Sequence, residues 1–227
     1  MILKGFPLQQ YSSDDMEMIY FGLGSHFGTA MSQSVMGDRL GGYVSAISVY
    51  NEVLRRRADL MPILMRGFYY HRFGEEAPGE SPITEERVPV FSFTDGYLSI
   101  NYLRSYIEMA AEEMQQAFSE DERAALDLID EIAHDPGFAL KFITQPGEAV
   151  FFNNQTMLHN RTAFEDSEEP ELKRHFMRLW LVSHDPRPVC DSLRIYEGRG
   201  IEAQQGRGTY FEGDLNYSRF EDDKARM

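Results

Sequence analysis

The chain has 227 residues, a formal net charge of −15, 42% apolar and 13% aromatic residues, and a single cysteine. That length suits one well-buried domain, while so acidic a balance opposes nucleic acid and anionic membrane surfaces, which need a positive footprint. No apolar run has the length of a membrane span, Met1 to Pro7 lacks a signal-peptide layout, and Cys190 alone excludes a disulfide framework or a cysteine-rich zinc site, so a cytoplasmic protein is expected.

In chain order, Ser12 and Ser13 ahead of Asp14, Asp15 and Glu17 predict a helix start, and Met16, Ile19, Tyr20 and Leu23 follow at helical spacing. Gly22, Gly24 and Gly28 end it. His26 has no partner spaced with it and reads as a packed or surface histidine. Tyr43 to Val49 predicts a short strand, and Asn51 to Arg57 a helix whose Arg55-Arg56-Arg57 end complements its dipole. Asp59-Leu60-Met61-Pro62 predicts a further helical start, with Pro62 where a lost amide is tolerated. Phe68 to Arg72 predicts a strand, with His71 as an edge-strand polar residue ahead of a site residue. Gly74 to Arg87 predicts an acidic, solvated loop, with a lid over a site as the lesser reading.

Val88 to Phe93 and Tyr97 to Leu103 flank Asp95-Gly96 and predict a hairpin. The hairpin reads as structural, with Asn101, Tyr102 and Arg104 facing a cavity as the lesser reading. Arg104 to Ala117 and Ser119 to Ala133 predict two helices, the second with a Ser119/Glu122 capping box and an apolar stripe of Ala125, Ile129, Ile132 and Ala133. His134-Asp135-Pro136-Gly137 stops it. Phe138 to Thr144 then predicts a strand leading into Gln145-Pro146-Gly147.

From that turn an apolar strand, Ala149 to Phe152, rises and ends in amide side chains and His159. The imidazole is therefore expected where a strand empties into a cavity, a common place for a metal ligand. Arg174 and Arg178, four apart in a following strand, point to one face. Two guanidiniums set among Phe176, Leu179, Trp180 and Leu181 need anions to pair with. Between His159 and Arg174, Glu165 to Glu171 carries five carboxylates and reads as a solvated connector. Residues 184–227 are expected to form an irregular C-terminal arm, whose Tyr196, Tyr210, Phe211, Tyr217 and Phe220 pack on the body or on a second subunit, so a homo-oligomer stays open. Cys190, beside Asp191, is a poor catalytic thiol.

The runs Pro146-Gly147-Glu148-x-x-Phe151-x-Asn153-Asn154, His159-x-Arg161-Thr162-x-Phe164 and Lys173-Arg174-x-x-x-Arg178-Leu179-Trp180-Leu181 resemble the C-terminal signature of the taurine dioxygenase family, TauD/TfdA-like. The resemblance implies an iron(II)- and 2-oxoglutarate-dependent dioxygenase. Its α+β fold would be a double-stranded β-helix, the jelly roll of the cupins, with flanking helices over one domain, 1–227. Residue by residue, the resemblance makes His159 a catalytic metal ligand and Arg174 the arginine that holds the far carboxylate of 2-oxoglutarate. It makes Arg178 the arginine that meets an anionic substrate. The family's iron, held by two histidines and one carboxylate, leaves positions for 2-oxoglutarate and O2. The implied reaction hydroxylates or desaturates a small, anionic organic molecule and releases succinate and CO2, with neither nucleic acid nor membrane as partner.

The family's other two ligands come from an upstream His-x-Asp or His-x-Glu motif. None of the six histidines here has a carboxylate two residues on. Ser32 to Gly41 resembles text that precedes that motif and Tyr43 to Glu52 text that follows it, so a few dozen residues are missing around Gly41 to Tyr43. Either the protein lacks that segment or the sequence passes over it. The hydroxyl residue that meets 2-oxoglutarate in the family falls in the same gap and is left unassigned. The rival expectation is a non-catalytic shell that binds a small oxo acid without iron, and a third is a metal-independent acid binder using Arg174 and Arg178 alone.

Overall fold

The computed structural model describes residues 1–31, 40–76, 79–161 and 179–195. Arg174, Arg178, the acidic connector after His159 and residues 196–227 of the arm lie outside these residues, as does any account of their geometry. Among the described residues no helix is long and apolar enough to cross a membrane.

The N-terminal strand β1 (Ile2–Lys4) pairs antiparallel with β7 (Glu148–Val150). Helix α1 (Ser13–Ser25) begins on the expected capping box, in which the Ser12 hydroxyl accepts from the Asp15 amide while the Asp15 carboxylate accepts from the Ser12 amide. It leads into β2 (Gly28–Met31), which pairs antiparallel with β9 (Trp180–Ser183). Leu179 and Leu181 lie against Gly24 of α1, so the stretch just after Arg178 crosses that helix where it has no side chain.

Strand β3 (Leu40–Ser45) runs unbroken through the point where the family motif is missing, with only a register irregularity between Leu40 and Gly42. The strand stops at Ser45, short of the expected Val49, because Ala46, Val49 and Val53 recur at helical spacing and are almost wholly buried; they belong to α2 (Ala46–Arg57). A 3-10 turn (Ala58–Leu60) and α3 (Met61–Arg66), with Pro62 in its first turn, follow as expected. α4 (Arg104–Glu113) is shorter than expected because Gln115 takes a left-handed φ of 54°. α5 (Glu120–His134) has the predicted capping box and buries Ala125, Leu126, Ile129 and Ile132. These helices, with Phe68, Val90, Phe91 and Ile100, form the core. Each fully buried aliphatic or aromatic side chain there contributes about 1.5–3 kcal/mol.

The predicted hairpin is β4 (Phe91–Thr94) and β5 (Tyr97–Ile100), with Asp95 and Gly96 both at positive φ, as a tight two-residue turn of that hand requires. Phe68 to Arg72 is not a strand. It makes two isolated bridges, Phe68 with Val88 and His71 with Ile83, while the Tyr70 amide donates to the Thr84 hydroxyl and the His71 and Arg72 amides to the Tyr106 and Pro82 carbonyls. Phe138 to Thr144 shrinks to the two-residue β6 (Leu140–Lys141). β6, β3 and β8 (Met157–Arg161) form the largest sheet among the described residues, in the order β6-β3-β8. The described strands are antiparallel, as a jelly roll requires, yet they form four small sheets and no closed double-stranded β-helix.

Candidate active site

The turn at Pro146-Gly147 needs the positive φ of 78° that Gly147 takes. It sends the chain into β7, where the Glu148 carboxylate accepts from the Gln145 amide and pairs with Lys4; the amide bond first, then the ammonium, lower its pKa. After Phe151 and Phe152 the chain reverses at Asn153. Its side-chain oxygen accepts from the Gln155 amide at 2.8 Å and its carbonyl from the Thr156 amide at 3.1 Å. The Gln155 carbonyl accepts from Ile100 and the Thr156 carbonyl from Ala46, so the turn is pinned to β5 and α2. It then launches β8. His159 thus sits inside a strand and not, as expected, at the end of one.

β8 pairs with β3 so that Val44 faces Leu158 and Tyr43 faces His159. Alternation puts these pairs on opposite faces of the sheet. Val44 and Leu158 pack into the core. On the other face an aromatic group surrounds the imidazole. Phe152 meets the His159 ring edge-on at 4.8 Å, and the Tyr43 ring lies 6.5 Å away. Tyr43 in turn stacks on Phe142 at 5.1 Å and meets the Phe152 edge at 5.4 Å. His159 Nε2 approaches Asn154 Oδ1 at 3.2 Å, so presenting that nitrogen to a metal requires the amide to turn aside. Tyr43 is 3% exposed, and its hydroxyl finds no hydrogen-bond partner among the described residues. Burial pushes its pKa up to about 12, which keeps it a proton-bearing donor. Nothing in the sequence marked Tyr43 as more than a strand residue, because its partner lies over a hundred positions away.

The other candidates go elsewhere. Tyr102 and Arg104 do not face this site. The Tyr102 hydroxyl donates to Asp130 Oδ1 at 2.7 Å and to the Leu126 carbonyl, and its pKa rises chiefly through burial and then through the Asp130 charge. Arg104 binds Glu108, Asp127 and Asp130; burial alone would lower its pKa, and these bonds outweigh that. A cavity of about 600 Å³ beside them is lined by Arg104 and α5 residues and holds neither His159 nor any residue of β3 or β8. His71 is a buried residue and not an edge one. Its Nδ1 accepts from the Phe73 amide at 2.8 Å, which leaves Nε2–H to donate to Glu113. Arg72, also buried, donates to the carbonyls of Ser81, Ile83 and Ile195, so the loop after Gly74 is tied to the body and to the start of the arm.

The family described as "Taurine catabolism dioxygenase TauD, TfdA family" matches residues 41–180, a span that holds β3, His159, Arg174 and Arg178. The chain belongs to the TauD/TfdA family. This TauD-like chain is 25% identical over 246 residues to FR-33289 synthase of Streptomyces rubellomurinus, covering 86% of the chain and 72% of the relative. That alignment is longer than the chain itself, so the relative carries residues with no counterpart here. A taurine hydroxylase-like protein of Stachybotrys chartarum is 27% identical over 139 residues, 60% of this chain and 34% of the relative. A uridine-5'-phosphate dioxygenase of an Amycolatopsis species is 35% identical over 65 residues, 29% of this chain and 22% of the relative.

Among the described residues no three His, Cys, Asp or Glu side chains converge on one point. Among the described residues the polar side chain that meets His159 is the Asn154 amide, and an imidazole with an amide does not make the two-histidine, one-carboxylate set of the family's iron.

Proposed function

We propose that this TauD-like chain is an oxidoreductase of the iron(II)- and 2-oxoglutarate-dependent dioxygenase type, acting with O2 on a small, anionic organic substrate. The observation that carries the reading is the family match across residues 41–180, which takes in His159, Arg174 and Arg178 together. In this reading His159 is the metal-facing imidazole. Arg174 grips the far carboxylate of 2-oxoglutarate, because a planar fork matches a carboxylate with two parallel bonds. Arg178 meets the anionic group of the substrate. One relative's name specifies a phosphorylated substrate, in keeping with an arginine there.

A second reading has its own support. With no carboxylate two residues after any histidine and an internal segment missing, the chain is a shell that binds the oxo acid without iron. A lone imidazole gives weak, unselective metal binding.

Anaerobic titration with iron(II) and 2-oxoglutarate separates the two. The dioxygenase reading expects a weak visible charge-transfer band in the wild type that is lost in His159→Ala. Absence of the band in the wild type, with the oxo acid still bound, selects the iron-free shell.

A further inference from the structure

Arg72 is a buried cation whose guanidinium is taken up largely by backbone carbonyls. The residue is 6% exposed, and its side chain serves two segments far apart in the sequence. In the loop, Nη1 donates to the carbonyls of Ser81 at 2.8 Å and Ile83 at 3.1 Å, and Nη2 to the Glu85 carboxylate at 3.2 Å. At the start of the arm, Nε donates to the Ile195 carbonyl at 3.0 Å. The backbone around Arg72 is itself fixed. Its amide donates to the Pro82 carbonyl, and its neighbour His71 is held by Tyr106, Phe73 and Glu113. On the arm side, Leu193 and Ile195 pack against the core, and Arg187 ties the same stretch to the Leu98 carbonyl of the hairpin. Burying a guanidinium is costly unless its N–H groups find acceptors, and here loop and arm supply them jointly.

We propose that Arg72 is a latch that makes the loop of residues 79–85 and the segment 187–195 open as one cooperative unit. When either leaves, part of the guanidinium is stripped of acceptors and water enters, which weakens its hold on the other. The coupling is reciprocal, so a perturbation confined to one segment is felt in the other. Lysine does not replace the residue, because a compact ammonium lacks the planar fork that reaches both segments at once. The device stands apart from the reaction proposed above: it links the acidic loop to the start of the arm whatever the site binds.

The test is amide hydrogen exchange of the full chain, followed by NMR, with each segment perturbed alone and read in the other. Leu193→Ala removes a core contact of the arm segment, and its readout is the Thr84 amide, which donates to the Tyr70 carbonyl. Thr84→Val removes the hydroxyl that accepts from the Tyr70 amide, and its readout is the Arg194 amide, which donates to the Asp191 carbonyl. Each variant should speed exchange at the distant readout about tenfold, the size expected within one hydrogen-bond network. Both cross-effects should vanish when the same changes are made in Arg72→Lys, while the Leu126 and Ile129 amides of α5 keep their wild-type rates. Absence of either cross-effect in the chain that retains Arg72 overturns the inference, and that comparison decides even where Arg72→Lys does not fold. Cross-effects that persist in Arg72→Lys overturn it too. Equal acceleration in α5 also overturns it, since it marks global unfolding.

Discussion

Glu52 is a carboxylate whose charged form is held by two guanidiniums from its own helix. Arg55 reaches it at 2.6 and 2.8 Å and Arg56 at 2.5 Å, while Arg56 continues to Glu131. The bonds from Arg55 and then Arg56 lower its pKa from the ordinary 4.5 to about 2. The folded value lies below the unfolded one, so Glu52 contributes stability that is fully present above pH 4.5 and is lost as pH falls toward about 2. Thermal melts across that window should show Tm falling, with a smaller fall in Glu52→Gln. An equal acid sensitivity in the two proteins would show that the cluster is solvated and adds nothing. Histidines at the same scale divide by environment. His71 is locked in one tautomer by a backbone amide and a carboxylate, whereas His159 has an amide side chain and aromatic rings about it.

At the scale of elements, close approaches of backbone to backbone set the β2–β9 pairing. A Cβ on Gly28 would lie 2.2 Å from the Val182 carbonyl oxygen, in the β2–β9 ladder. Gly28→Ala should therefore cost about 1–3 kcal/mol in urea unfolding. Gly22→Ala, in α1 with nothing within 4 Å of the added carbon, should be neutral or gain up to about 1 kcal/mol. Equal effects at the two positions would contradict the ladder. Elements specified by neighbours were legible in the sequence: the Ser119/Glu122 capping box, the Asp95-Gly96 hairpin and the Pro62 helix start. Elements that depend on distant partners were not. Phe68 to Arg72 has strand composition, but the carbonyls of Val88, Tyr106 and Pro82 take its amides one by one. Ala46 to Val49 is β-branched enough for a strand, yet its burial pattern against α5 makes it helix.

For the molecule as a whole, the family could be read from three short runs near the C-terminal half, because each keeps its residue types at fixed spacing. His159, Arg174 and Arg178 were named from those runs. That Tyr43 lies across from His159 was not legible, since the two meet only when β3 and β8 pair, and the expectation that His159 ends a strand failed for the same reason. The family's His-x-Asp or His-x-Glu motif was legible as an absence from the sequence. Both readings under the proposed function require that the chain bind 2-oxoglutarate through Arg174. The direct test is equilibrium binding of 2-oxoglutarate to the wild type and Arg174→Ala, anaerobically and with iron(II) both present and absent. Wild-type binding is expected, with a loss of at least about tenfold in Arg174→Ala, the worth of a charge-assisted carboxylate grip. Wild-type affinity unchanged by the substitution, or no binding at all, would contradict it.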